Sequence, residues 1–183
     1  WGLRSTTMYP CYGMAETTLF ASGGPPQREP LLLAVEAAAF ETGCILPAAQ
    51  TATSTLVGCG RTWLEGQMRI VDPETLLPCA PDRVGEIWIA GPHVAQGYWD
   101  KPEATAEVFG GHLAEGGEGP FLRTGDLGFV RDGELFVAGR RKDLIIIRGR
   151  NHYPQDIERT VEACHAALRP GASAAFAIAG QRQ

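Results

Sequence analysis

The sequence predicts a mixed α/β and β fold, β-rich through its middle and α+β at its end. Three observations predict it. Residues 128–137 carry a hairpin pattern around Asp132-Gly133, short β-prone runs separated by turn residues fill 55–139, and a purely aliphatic run over 144–147 precedes a helix start at Pro154. The 183 residues can bury a sizeable core, and a net charge of −5 offers no basic excess for nucleic acid, so no nucleic-acid partner is expected.

Residues 1–24 run from a polar entry through Tyr12-Gly13-Met14-Ala15-Glu16 into two glycines. A tyrosine beside glycine can offer its ring to a base while the backbone approaches closely; a core aromatic at a strand end for Tyr12 and a helix-capping carboxylate for Glu16 are the plainer alternatives. Residues 25–30, PPQREP, read as a linker, and 31–40, rich in Leu, Ala and Glu, as a helix. Alternation at 68–71 and 86–89, with turn chemistry at 72–75 and 80–82, suggests strands of a small, partly closed barrel. Gly97-Tyr98-Trp99 closes that unit, its aromatics expected to pack. A short helix is expected over 101–109 and a mobile loop over 110–120, which holds five glycines.

The hairpin brings Thr124-Gly125-Asp126 close to Gly139-Arg140. A carboxylate that accepts from vicinal hydroxyls, beside a guanidinium that forks onto oxygens, suits a ribose phosphate; an ion pair closing a surface hairpin is the alternative. Residues 139–143 form a charged junction, readable as a hinge or as a solvated charge run. The aliphatic strand beyond it is expected to be buried on both faces or to seed a second small core. Pro154 suits a first helical turn, with Asp156 and Glu158 favourable at that helix end. Ile157, Val161 and Cys164 lie on one face, 168–171 should break the helix, and 174–179 should begin another strand.

The run RTGDLGFVRDGELFVAGRRKDLIIIRGRN (123–151) resembles the nucleotide-and-hinge segment of the adenylate-forming superfamily, and two further stretches agree in order: the Tyr12–Glu16 motif, and GEIWIAG (85–91) with Gly97-Tyr98-Trp99. YGMAETTLF, VDPETLLPCAPDRVGEIW and GRNHYPQDIE are most similar to the fatty acyl-AMP ligases, as is Ala15, where many superfamily members carry Thr. The resemblance implies the end of a large AMP-binding domain (1–141, βα end plus distorted β-barrel, with a subfamily insertion placed at 28–55) and the hinge and start of a small α+β domain (142–183). It implies nucleotide binding by Tyr12, Gly13, Met14, Ala15, Asp126 and Arg140. Glu16 becomes the catalytic carboxylate near the triphosphate and Mg2+, bound directly or through water, and Lys142 the hinge pivot. The implied reaction converts a fatty acid and ATP to acyl-AMP and pyrophosphate, for transfer to an acyl carrier protein or a polyketide synthase carrier domain. An acyl-CoA ligase and a non-catalytic nucleotide-binding module are the alternatives. The family's phosphate loop and C-terminal catalytic lysine do not occur in these residues, which are therefore expected to be part of a longer enzyme and inactive alone.

The five cysteines and four histidines show neither disulfide nor metal-ligand spacing, so reduced thiols and no metal are expected of them. No signal-like or membrane-length apolar segment is present, and a cytoplasmic protein is expected.

Overall fold

The computed structural model describes residues 2–48, 53–62 and 65–178. Residues 49–52 of the 28–55 segment and Ala179 of the expected last strand lie outside them. In chain order the strands are β1 (Cys11–Tyr12), β2 (Ser22–Gly23), β3 (Leu32–Glu36), β4 (Thr53–Val57), β5 (Arg61–Thr62), β6 (Gln67–Val71), β7 (Gly85–Ala90), β8 (Leu122–Arg131), β9 (Glu134–Arg140), β10 (Ile145–Ile147) and β11 (Arg150–His152). The helices are α1 (Ala37–Phe40), α2 (Pro102–Phe109) and α3 (Pro154–Ala163).

The main layer is the antiparallel sheet β6-β7-β8-β9. Asp132 (φ 53) and Gly133 (φ 77) both adopt the left-handed conformation that an Asp-Gly pair tolerates, so β8 turns straight into β9. β7 does not present one wet face. Ile87 and Ile89 pack with Tyr12, Ala21 and Leu135, while Trp88 packs on the opposite side with Val71, Leu113 and Phe121, and all three β7 residues are fully buried. Beyond β9, residues 58–60 continue the layer through a Gly58–Phe136 bridge and the bonds Cys59 N to Leu135 O (2.7 Å) and Leu135 N to Gly60 O (2.8 Å). β5 then pairs with β2, and β2 with β1, which delivers Tyr12 to this core.

Residues 31–40 depart from the expected helix. They form β3, paired with β4 from Leu32 opposite Val57 to Glu36 opposite Thr53, and then the single turn α1. A partner strand satisfies a run of backbone groups together and seats Val35 in the core, which outweighs a helix preference of only a few tenths of a kcal/mol per residue. The expected short helix is α2, entered through Pro102. The glycine-rich loop after it is tied at its neck, where Gly111 and Phe121 exchange backbone bonds of 2.9 and 2.7 Å, and Leu113 anchors it in the core.

The C-terminal elements also depart in part. β10 pairs with β11, but only Ile145 is buried. Ile146 and Ile147 are exposed, because among the described residues their outer side meets no covering layer, only an apolar groove shared with Ile157, Val161, Phe176 and Ile178. α3 ends at Ala163, ahead of the expected break. Residues 174–178 join no ladder; the Ala175 N–H instead donates to Glu158 Oε1 (2.9 Å) and that of Ser173 to Glu162 Oε1 (3.2 Å), so side chains supply the acceptors a neighbouring strand would have offered.

What holds this end in place is Tyr153. Its ring stacks on Phe40 (centroids 4.6 Å apart, 17° between planes) and is buried beside Phe129, Phe136 and Ala138. The Asn151 N–H donates to Glu41 O (2.7 Å), Arg150 pairs with Glu41 (3.5 Å), and Gln155 Nε2 donates to Ala138 O (2.6 Å). The Tyr153 hydroxyl is buried with no hydrogen-bond partner, and burial pushes its pKa up. Tyr153→Phe should therefore match or exceed the parent in thermal stability, whereas Tyr153→Ala should cost about 3–5 kcal/mol in denaturant unfolding. A Phe variant less stable by more than about 1 kcal/mol would mean that the hydroxyl has a partner after all.

Candidate functional site

One wall of the site is the turn that follows β1. Gly13 is obligatory there: a Cβ on it would fall 1.8 Å from the Leu19 carbonyl oxygen. Ala15–Thr17 then form one 3-10 turn, clamped by Thr17, whose hydroxyl accepts from Met14 N (3.2 Å) and lies 3.0 Å from Met14 O. The turn is docked through Ala95 N to Glu16 O (2.8 Å), and the Glu16 carboxylate accepts from the Tyr98 hydroxyl (2.7 Å).

The facing wall is an interruption in the β7–β8 ladder. Glu86 stands opposite Leu127 and Trp88 opposite Arg123, so the single residue Ile87 faces three residues of β8, namely Thr124, Gly125 and Asp126. Gly125 takes φ +72°, which turns the looped backbone outward. Asp126 is thereby presented between two partners. Its Oδ2 accepts from the Tyr12 hydroxyl (2.7 Å) and its Oδ1 from Arg140 Nε (3.1 Å), Arg140 being its opposite number across the β8–β9 pair. Asp126 is 7 % exposed and the Arg140 side chain about half exposed. Burial first, and the Asp126 charge further down, push the Tyr12 hydroxyl well above its ordinary pKa, so it remains a donor.

Between these walls lies a cavity of about 570 Å³, into which Met14, Glu16, Tyr98, Arg123, Thr124, Arg140 and Lys142 face. Of the residues expected at a site, the structure brings Met14, Glu16, Arg140 and Lys142 to this cavity. Gly13 and Ala15 are exposed on its turn. Tyr12 stands behind it, its ring in the core rather than offered to an open surface. Asp126 lines instead a second cavity of about 430 Å³ between β9 and α3, which Arg140 also borders. Lys142 is exposed in the 3-10 turn Arg141–Asp143, where Arg141 pairs with Glu74 (2.8 Å). Among the described residues no group of three or more His, Cys, Asp or Glu is disposed to hold a metal ion. A single carboxylate such as Glu16 does match the way Mg2+ is commonly held, by one or two carboxylates together with substrate phosphates and water.

Sequence reasoning missed Glu86, Tyr98, Arg123 and Thr124, all of which line this cavity. Tyr98 was expected only to pack, and its ring does meet Phe109 edge-on at 5.2 Å, but its hydroxyl reaches into the site; the signal was a Tyr where Phe would have packed as well. Its neighbour Trp99 was also expected to pack and is 95 % exposed. The hydrogen bond to Glu16, then burial and the Glu16 charge, push Tyr98 up from 10.0 to about 12. A raised pKa means that the bond contributes fully below pH 10 and is lost as pH climbs to about 12. The stability gap between the parent and Tyr98→Phe should hold at neutral pH and close over that interval, and a gap that persisted unchanged above pH 12 would refute the bond.

Residues 2–99 match the family described as AMP-binding enzyme. The chain is 49% identical over 181 residues to the medium-chain-fatty-acid–[acyl-carrier-protein] ligase JamA of Moorena producens, covering 97% of this chain and 31% of that protein. It is 44% identical to the ligase of the same description, TtuA, of Teredinibacter turnerae, covering 96% of this chain and 28% of that one. The fatty acyl-adenylate ligase from L. pneumophila, solved in complex with acyl adenylate and pyrophosphate, superposes with a TM-score of 0.73 at 43% identity, over 98% of this chain and 31% of that one. The chain thus spans about three tenths of the length of the relatives it matches.

Proposed function

The chain belongs to the AMP-binding enzyme family, and from that premise we propose that it is the nucleotide-and-hinge part of a fatty acyl-AMP ligase. The full protein converts a fatty acid and ATP to acyl-AMP and pyrophosphate, and passes the acyl group to the thiol of an acyl carrier protein or a polyketide synthase carrier domain. What supports this reading most is the likeness, over nearly the whole chain, to a ligase whose structure holds acyl adenylate and pyrophosphate. Among the described residues no helix is long and apolar enough to cross a membrane, and we place the reaction in the cytoplasm, where ATP is supplied.

In the reaction a carboxylate oxygen of the fatty acid bonds to the α-phosphorus, the bond from that phosphorus to the bridging oxygen breaks, and pyrophosphate leaves with the electron pair. The residues act by holding and neutralising. Asp126 spends two of its roughly four acceptor positions on Tyr12 and Arg140, which leaves the others for the vicinal hydroxyls of a ribose. Arg140 can turn the rest of its guanidinium to phosphate oxygen. The exposed backbone of Gly13 and Ala15, with Met14 beside it, forms the adenine side, and Tyr12 acts from behind it through its hydrogen bond to Asp126. Glu16, directed by Tyr98, would hold Mg2+, which when bound neutralises charge developing on the phosphates. We divide the chain at Lys142, with 1–141 ending the large domain, 28–55 as its insertion, and 142–183 beginning the small domain that pivots there.

In the full-length protein given a fatty acid, ATP and Mg2+, mass spectrometry should find acyl-AMP, with no acyl-CoA when coenzyme A is added. Ready formation of acyl-CoA would replace this reading with an acyl-CoA ligase, and neither product would leave a nucleotide-binding module. Lys142→Pro should slow thiol transfer more than adenylation, since it stiffens the pivot; equal loss of both steps would make the junction purely structural.

A further inference from the structure

Where β8 leaves the β7 ladder, Thr124, Gly125 and Asp126 lose their β7 partners, and each is tied down again by a side chain. The Thr124 hydroxyl donates to Ile87 O (2.7 Å) and accepts from the Asp126 N–H (3.1 Å). The Gly125 N–H donates to Glu86 Oε1 (3.1 Å). Glu86 is 3 % exposed, and its other oxygen faces Arg123 NH2 at 3.5 Å, the guanidinium lying 5.4 Å from the centre of the Trp88 ring. A buried carboxylate is costly unless its acceptors are used, and those of Glu86 are used on Gly125, the residue immediately before Asp126, and on Arg123. Nothing in the strand pattern of β7 requires an acid at this position: its neighbours along the strand, Ile87, Trp88 and Ile89, are apolar and fully buried.

We infer that Glu86 is a positioning residue for nucleotide recognition: with Thr124 it fixes the looped-out backbone so that the Asp126 carboxylate meets the ribose hydroxyls. This rests on the assignment of Asp126 as the ribose acceptor. Glu86 acts through the Gly125 amide, so what matters is an acceptor oxygen at Oε1, more than the charge. Without it, the Gly125 N–H is unpaired, the loop samples other conformations, and Asp126 loses its alignment while the adenine and phosphate contacts remain.

The test compares equilibrium binding of ATP and of 2′,3′-dideoxy-ATP to the full-length protein. The parent should prefer ATP, and Asp126→Ala should abolish most of that preference, on the order of 10-fold or more for charged hydrogen bonds. Glu86→Ala should weaken ATP by about 10-fold and leave the dideoxy nucleotide within about 2-fold. Glu86→Gln, which retains an acceptor for Gly125, should recover most of the ATP affinity. Thr124→Val removes the second tie without emptying a buried charge site, and should repeat the Glu86→Ala pattern even if that variant folds poorly. Equal weakening of both nucleotides by Glu86→Ala and Thr124→Val, or no weakening of either, would overturn the role of Glu86 while Asp126→Ala still discriminated. If Asp126→Ala kept the full preference for ATP, the ribose assignment would fail and the role of Glu86 with it.

Discussion

Asp126 is the point at which the separate parts of this chain are made to agree. Its carboxylate joins Tyr12, 114 residues upstream, to Arg140, 14 residues downstream, inside a setting that is nearly dry. Holding an anion there requires donors on both oxygens, and each donor has to be delivered by a different structural device. β1 reaches Tyr12 into place only because β2 and β5 carry the first turn onto the main sheet. Arg140 arrives because an Asp-Gly turn folds β9 back along β8. The interruption opposite Ile87 supplies the angle at which the carboxylate leaves the strand.

Much of this was legible before any coordinates. Asp132-Gly133 named the hairpin, and the hairpin brought Asp126 close to Gly139-Arg140; the one-residue register shift between Gly128 and Leu127 that sets Asp126 directly opposite Arg140 was not legible. The short helix expected over 101–109 is α2, and Pro154 marked the start of α3. The misreadings have a common cause: they concern what lies across from a segment. Residues 31–40 have the composition of a helix but the partner of a strand. The aliphatic run at 144–147 has the composition of a buried strand, yet among the described residues Ile146 and Ile147 have no cover. Composition reports what a segment can do, and the neighbour decides which of those it does.

The site shows the same division. Asp126, Arg140, Glu16 and the glycine of the first turn sit in short motifs whose chemistry can be argued residue by residue. Tyr98 and Glu86 belong to the site by geometry alone, one through a hydroxyl at the end of a packed ring and the other through a carboxylate beneath a strand interruption. A register shift of two residues between paired strands leaves no mark in hydropathy. The one trace of it is an acid in an otherwise apolar strand, Gly85–Ala90.

The stack of Tyr153 on Phe40 has a consequence for motion at the junction. A rotation about Lys142 large enough to re-aim α3 must draw the Tyr153 ring out of the core into which it is packed. Exposing a buried side chain of that kind costs about 1.5–3 kcal/mol, a roughly 10- to 150-fold bias in population toward the docked pose. A pivot at that junction would therefore be latched rather than free, and whatever released it would have to return that free energy from contacts made only in a second pose.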